Sequence, residues 1–585
     1  MQLQFEKEKK EPEIKARLIS KYDDAYCPDN VTGPIVVSDV TTIAEGISRD
    51  LTDYHATLIE SPPGFGKTWF ILHEILPRVR EAGGKLLLVS NRIAVSYQQK
   101  IEVLKALNGD ELEDYTEKGL LKKTDFGEND DNPDTVKILT LQALEPFLRS
   151  PKGIAYSKEV SVLCVDEVQY FTSDYFCPSA ARLLERLPQI FNHAVRVYLS
   201  ATPEDVLVPL SEAEQAAQRP IMERMGITPS PLCWGERPSI TWYRFVDNRY
   251  CDLPIRYYRE ESELLDQIES SGQDGWLIFV QTKSSGEALV EKLGDEAVFI
   301  SADKKGTKAW NELLRKEKLP CRILVTTSVI DCGVNIQDEN LKHVVVPYED
   351  HAMFIQALGR KRFKGEPKFT LYVRAISKKR LKDLIYQNER LLDFADKIDQ
   401  SASCNWALEK LLNDGTPAER SLLSRGNDNR WGPNAPYIHK LHRQRYFYQQ
   451  LQKLFELYDD SAFPRLVHQW LGQPDAYDDR NWLGYSATNE DMQELLSFLG
   501  EYSGRHLTSE EEQRKFSDEL HCFYQKITKN KKEPKGKRKF LEMAALNNCL
   551  KELGISGAVR NGGAGGGWHF SMEAVDDAGV TAEQE

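Results

Sequence analysis

Ser61-Pro-Pro-Gly-Phe-Gly-Lys67-Thr68 has the residue types of a phosphate-binding loop. Gly64 and Gly66 let backbone N–H groups approach phosphate oxygens, with Pro63 and Phe65 completing the turn. Lys67 can reach the β- and γ-phosphates of ATP, and Thr68 can ligand Mg2+. Further on, VLCVDEVQ (162–169) is an apolar strand ending in two carboxylates. Asp166 is placed to hold Mg2+, and Glu167 to orient and deprotonate an attacking water. Gln169 adds a polar group suited to sensing the γ-phosphate. LSATP (199–203) brings Ser200 and Thr202, which have hydrogen-bonding rather than acid–base chemistry, suited to linking the site to a domain interface. QALGRKR (356–362) sets Arg360 and Arg362 on a distant segment. A site split in this way must close to be complete, which points to a nucleotide-driven machine.

These residues need a framework. ATLIE (56–60), KLLLVS (85–90), KILTL (137–141), VSVLCVDE (160–167) and VRVYLSAT (195–202) read as buried strands between helical stretches. That alternation predicts a parallel α/β sheet. The loop lies between ATLIE and the helical WFILHEILPRV, the setting a phosphate loop requires. A second series has its strands at 239–246, 275–282, 297–302, 321–330, 343–348 and 368–374. After 376 the pattern turns helical, at 378–398, 440–458, 490–502 and 509–528, the last opened by a capping box of Thr508 with Glu511. A helix over 537–554 leads into two short strands around a glycine-rich tip, which resemble a winged helix with its wing; an ordinary surface hairpin is the alternative.

The 585 residues are 41% hydrophobic and 28% charged, which is globular. No apolar run nears the roughly 18 residues that span a bilayer, and the charged start lacks a signal-peptide core, so a cytoplasmic protein with no membrane partner is expected. Its ten cysteines form no C-x-x-C pair, which argues against a disulfide framework or a zinc ribbon. The net charge is −14, but base clusters at 359–368 and 526–539. The second cluster can hold phosphates or be a solvated linker.

Taken in order, SPPGFGKT, SNR (90–92), TLQAL (140–144), DEVQ, SATP, IFVQT (278–282), TTSVIDCGVNI (326–336) and QALGRKR resemble the superfamily 2 helicases and translocases of the DExH/Q type. The resemblance covers about 60–362 and implies two tandem RecA-like domains with ATP between them. With the pattern along the chain, this suggests a leader (1–35), RecA-like domains (36–225 and 226–375), a helical accessory domain (376–530) and a final segment (531–585) with the winged-helix candidate and an acidic tail. Gln356 would contact the γ-phosphate or water, and Arg360 and Arg362 would be arginine fingers. The family often places the second finger where Phe363 stands here; a shorter form places it at Arg362. Asn335 occupies a position where Asp is common, and Gly333 lets the backbone approach. Asn91, Arg92, Thr140, Thr282 and Thr326 or Thr327 would lie near a nucleic-acid backbone, fixing position without reading sequence. No cysteine lies between 28 and 163, which excludes the iron–sulfur subtype.

The expected activity is an ATP-dependent helicase or translocase, acting on DNA rather than RNA, in replication, repair, or mobile-element and phage-defence systems. The part beyond 375 would add grip or a protein-partner surface. Two other activities fit the same motifs: an ATP-gated switch that binds nucleic acid without unwinding it, and an origin-binding initiator that reads duplex through 526–571.

Overall fold

The computed structural model describes residues 21–23, 26–38, 43–44, 47, 56–90, 93–108, 117–127, 135–173, 180–224, 239–245, 248–301, 303, 307–328, 334–363, 365–400, 411–425, 431–483, 488–528, 542–553, 555, 557–561 and 567–572. The first sheet has eight strands: β1 (Val31–Val37), β2 (Ala56–Glu60), β3 (Lys85–Ser90), β4 (Asp125–Phe126), β5 (Val136–Thr140), β6 (Val160–Val165), β7 (Val195–Ser200) and β8 (Ile240–Phe245). Their order is β1-β8-β2-β7-β6-β3-β5-β4, parallel throughout except for β4 against β5. A parallel sheet is covered on both faces, so its strands are continuous apolar runs. Successive residues feed opposite cores: Leu58, Leu87 and Leu163 enter one, and Ile59, Leu88 and Cys164 the other.

The strand expected at 239–246 to open the second domain is β8, and it belongs to the first sheet, between β1 and β2. A polar clasp holds it there. Trp242 Nε1 and Arg244 Nε donate to Glu60 Oε2 at 3.0 and 2.6 Å, at the end of β2. β1 lies across the boundary at 35 that the sequence suggested for a leader.

The second sheet is built from β9 (Ile255–Tyr258), β10 (Gly275–Phe279), β11 (Ala297–Ile300), β12 (Ile323–Thr326), β13 (Leu341–Val346) and β14 (Thr370–Arg374). It is parallel throughout, in the order β11-β12-β10-β13-β14-β9. The two sheets are the tandem RecA-like domains of an α/β protein.

Seven helices matter to the site and its surroundings. α1 (Lys67–Phe70) passes through a π-turn, Ile71–Ile75, into α2 (Leu76–Glu81). α3 is Ile93–Asn108 and α4 is His351–Leu358. Asp350 caps α4 by accepting from Met353 N at 3.0 Å. Beyond the sheets come α5 (Lys378–Gln400), α6 (Ala435–Tyr458), α7 (Ala462–Trp470) and a small antiparallel pair, β15 (Leu423–Arg425) with β16 (Trp431–Pro433). Leu392, Ile398, Leu422 and Leu441 form a core between α5, α6 and the strand pair.

A separate unit spans Asp478–Glu585; the rest of the chain, Met1–Tyr477, forms the other. It contains α8 (Thr488–Tyr502), β17 (His506–Leu507), α9 (Glu510–Thr528), α10 (Met543–Glu552), β18 (Gly557–Asn561) and β19 (Trp568–Met572). The division therefore falls inside the stretch 376–530 that the sequence suggested as one domain. The reason is the core: Leu495 and Leu499 of α8 and Phe516 and Leu520 of α9 pack with Leu546, Trp568 and Phe570. The sheet order β17-β19-β18 is antiparallel. Among the described residues, helix, strand, two helices and two strands follow the element order of a winged helix. The capping box of α9 is Ser509 with Glu512 rather than Thr508 with Glu511. Glu512 N donates to Ser509 Oγ at 3.2 Å, and Ser509 N donates to Glu512 Oε2 at 3.1 Å. The expected helix start at 537–541 and the glycine-rich tip at 562–566 lie outside the described residues. Among the described residues no helix is long and apolar enough to cross a membrane.

Candidate nucleotide-binding site

The phosphate loop leaves β2 and is pinned at its start, where Ser61 N donates to Ser200 O of β7 at 2.8 Å. Gly64 and Gly66 have φ of 89° and 83°, in the region L-side chains avoid. Those two torsions turn the chain into α1, whose first residues are Lys67 and Thr68. Lys67 Nζ donates to Ser61 O at 3.3 Å and to Glu167 Oε1 at 3.2 Å.

Where β6 ends, Asp166 N donates to Val89 O at 2.9 Å and Val168 N to Leu199 O at 2.9 Å, so both flanks of Glu167 are held by neighbouring strands. Glu167 itself has φ of 55°, a left-handed turn for a non-glycine residue. Gln99 Nε2 of α3 donates to Asp166 Oδ2 at 2.8 Å, while Oδ1 is buried with no partner among the described residues. Burial, and then the Glu167 charge, pushes the Asp166 carboxyl up to about 7. Burial pushes Glu167 upward too, but Lys67, Gln169 and Arg360 outweigh it and hold that carboxyl below its ordinary value. A hydrogen-bonded run continues from Glu167: Gln169 Nε2 donates to its Oε2 at 2.7 Å, Ser200 Oγ to Gln169 Oε1 at 2.6 Å, and Thr202 N to Ser200 Oγ at 3.0 Å.

The second domain meets the same carboxylate. Gln356 Nε2 donates to Glu167 Oε2 at 3.0 Å, and Arg360 Nη2 donates to Gln356 Oε1 at 2.9 Å. Around Lys361 the chain is extended and bridges to Ile336, with Ile336 N donating to Arg360 O and Arg362 N to Ile336 O, both at 2.9 Å. Residues two apart on an extended segment share a side. That local geometry sets Arg360 and Arg362 toward the cleft, turns Lys361 away to Asp338 O, and packs Phe363 at an angle against Tyr250 and Phe369. Arg362 Nε donates to Asn335 Oδ1 at 2.8 Å, and its Nη1 is so close to the loop that a Cβ on Gly64 would lie 2.3 Å from it. Burial, then the Arg360 charge, lowers the Arg362 pKa to about 10.

One cleft of about 1260 Å3 is lined by Pro63, Gly64, Gly66, Lys67, Thr68, Asp166, Glu167, Asn335, Gln356, Arg360 and Arg362. Phe65 stands behind the loop, under the Arg249 guanidinium at 4.5 Å. Arg249 Nη1, from the connection between β8 and β9, also donates to Pro63 O at 3.0 Å, a contact that sequence reasoning missed, as it missed Gln99. Neither belongs to a spaced motif. Gly333, Asn91 and Arg92 lie outside the described residues.

The threonines expected near nucleic acid are not in this cleft. Thr140 and Thr282 are N-caps, accepting from Ala143 N at 3.3 Å and Ser285 N at 3.1 Å. Thr326 is fully buried and donates to Ile300 O at 3.0 Å, so it faces the core; Thr327 beside it is half-buried.

Residues 35–205 match the family model described as Type III restriction enzyme, res subunit. No curated protein matches the chain. Among solved structures, S. cerevisiae Dbp5 bound to RNA and ADP BeF3 is 19% identical, over 59% of this chain and 86% of its own, with a TM-score of 0.38. Mss116p bound to ssRNA and AMP-PNP is 14% identical, over 71% and 89%, with a TM-score of 0.40. The segment that matches the family model holds the phosphate loop and the paired acids, and the second parallel sheet returns Gln356 and two arginines to the same cleft. That family match, over residues 35–205, and the ordered set of motifs make the chain similar to the superfamily 2 helicases and translocases.

Proposed function

We propose that the chain uses ATP hydrolysis to move along DNA as a cytoplasmic helicase or translocase. The observation that carries this is the 3.0 Å hydrogen bond from Gln356 to Glu167. It joins the two domains at the carboxylate best placed to accept a proton, so hydrolysis and cleft closure share one contact.

In this reading the loop from Pro63 to Gly66 cradles the phosphates through its backbone and Lys67 turns from Glu167 to them. Glu167, held deprotonated, orients water and takes its proton. Asn335 holds Arg362 against the loop, and Arg360 steadies Gln356. Gln169, Ser200 and Thr202 carry the state of Glu167 toward the domain interface. Thr68 and Asp166 fit a hard cation, since both offer oxygen and Asp166 Oδ1 is buried and unpaired among the described residues. When bound there, Mg2+ would neutralise phosphate charge. Asn91, Arg92, Thr140, Thr282 and Thr327 would border the nucleic-acid path.

Two observations favour DNA: the matched family is that of a restriction-enzyme subunit, and the unit Asp478–Glu585 has winged-helix order. The deciding experiment measures ATPase rates with single-stranded DNA, duplex DNA and RNA in parallel, together with strand displacement. DNA stimulation with displacement or translocation is expected. Stimulation by RNA alone would overturn the DNA assignment, and stimulation without movement would favour the ATP-gated switch. The winged-helix order also supports an initiator that reads duplex. Sequence-specific duplex binding that disappears on removing 478–585 is the result that reading requires.

Gly359 gives a second test. A Cβ there would lie 2.6 Å from Pro63 Cβ and Cγ, a stiff ring on the facing domain. Gly359→Ala is expected to hold the cleft apart and cost roughly 10²-fold in kcat, the scale of an ångström-level misplacement. Steady-state phosphate release checks it; an unchanged kcat would show that this contact is not part of the active closure.

A further inference from the structure

Lys440, on α6 of the accessory region, lies between carboxylates from both motor domains. Its Nζ is 3.1 Å from Asp205 Oδ2 and 3.6 Å from Asp350 Oδ2, and its side chain is only 11% exposed. Asp205 follows the Ser200–Thr202 segment of the first domain. Asp350 is the N-cap of α4, the helix of the second domain that carries Gln356. One turn along α6, Arg443 Nε pairs with Asp205 Oδ1 at 3.1 Å, and its Nη1 donates to Tyr22 O at 3.3 Å. Arg443 thus anchors α6 to the first domain, while Lys440 spans both.

These contacts complete a circuit with the nucleotide site. From Glu167 it runs through Gln169 and Ser200 to Thr202, along the chain to Asp205, across Lys440 to Asp350, and down α4 to Gln356, which returns to Glu167. Both arms depend on the two domains being close. If they part, Lys440 cannot reach both acids, and Gln356 cannot reach Glu167. With Lys440 uncharged, two like charges would face each other across the closing interface with little water to screen them.

We infer that Lys440 is a positioning residue for ATP hydrolysis, a tie formed between the motor domains in the closed state, through which α6 and the nucleotide site bias one another. The inference rests on the closure described under the proposed function. Its consequence is that a nucleic acid or protein that displaces α6 would change turnover without touching the cleft.

The test uses the full-length protein and a double-mutant cycle with Lys440→Met and Asp350→Asn. Asn keeps the N-cap, because its side-chain oxygen accepts as the carboxylate does, and it removes one repelling charge. Lys440→Met is expected to lower the DNA-stimulated kcat roughly 5- to 150-fold, the usual span of coupling between sites, with little change in KM for ATP. Adding Asp350→Asn is expected to restore part of that loss. Loss of a merely structural packing group would not be rescued by deleting the facing charge of Asp350. A Lys440→Met kcat equal to wild type, or a loss that Asp350→Asn leaves unrepaired, overturns the tie. If Lys440→Met does not fold, Asp350→Asn alone must lower kcat at constant KM, and an unchanged kcat then overturns it. Wild type without ATPase activity would instead overturn the underlying motor reading.

Discussion

Glu167→Gln is expected to remove ATP hydrolysis while leaving ATP binding. The amide has the size of the carboxylate and can keep its contacts with Gln169 and Gln356 by rotating, but it cannot accept a proton from water. Loss of a positioned base costs roughly 10²–10⁴-fold. Lys67→Ala is expected to be as severe in turnover and also to weaken binding. It removes the cation that faces the phosphates and the partner 3.2 Å from Glu167 that helps keep it ionised. The pair separates base from binding group: phosphate release falls in both, and equilibrium binding of a fluorescent nucleotide falls only with Lys67→Ala. Normal turnover in either variant would sink the assignment of the site.

The second large effect is expected at the arginines. Arg362→Ala and Arg360→Ala should each keep most ATP binding and lose hydrolysis, by up to roughly 10³–10⁵-fold for a group that stabilises phosphoryl transfer. The structure separates their parts. Arg362 reaches the loop, with Nη1 buried and unpaired among the described residues; burial, and then the Arg360 guanidinium beside it, lowers its pKa. A cation held in this way lacks an anion that a phosphate would supply. Arg362→Ala is therefore expected to leave the unfolding temperature unchanged or raise it, even as turnover disappears. Arg360 is 5% exposed and donates to Gln356 through two atoms, so Arg360→Ala should lower both unfolding temperature and turnover. Equal loss of binding and hydrolysis in either variant would argue against a finger role for that residue.

The parallel sheets were legible because buried strands need unbroken apolar runs, and the cleft because phosphate chemistry demands glycines, a lysine, paired acids and arginines. What escaped were choices made by partners far away in the chain. SITWYRFV reads equally well as a strand of either sheet, and Glu60, distant in sequence, holds it in the first. α8 and α9 look like any amphipathic helices until Leu546 and Phe570 claim them for the final unit. Thr508 and Ser509 are both competent caps, separated only by where the turn begins. Gln99, Arg249 and Lys440 belong to no spaced pattern; each acts through a residue more than 60 positions away. Thr326 had the right type for a phosphate contact, but β12 turned it inward.

The left-handed backbone at Glu167 has a consequence for fuel economy. That conformation costs a non-glycine residue roughly 1–3 kcal/mol, and it persists only while the surroundings impose it. The strand bonds on either side of Glu167 impose the turn, Lys67 and Gln169 hold its carboxylate from within the first domain, and Gln356 adds a restraint from the other. When the domains part, the acid loses a restraint while its turn remains under strain, and it is free to swing off line. Under the proposed function, ATP that enters an open enzyme would meet a base that is not aimed at it, and idle hydrolysis between steps would be suppressed.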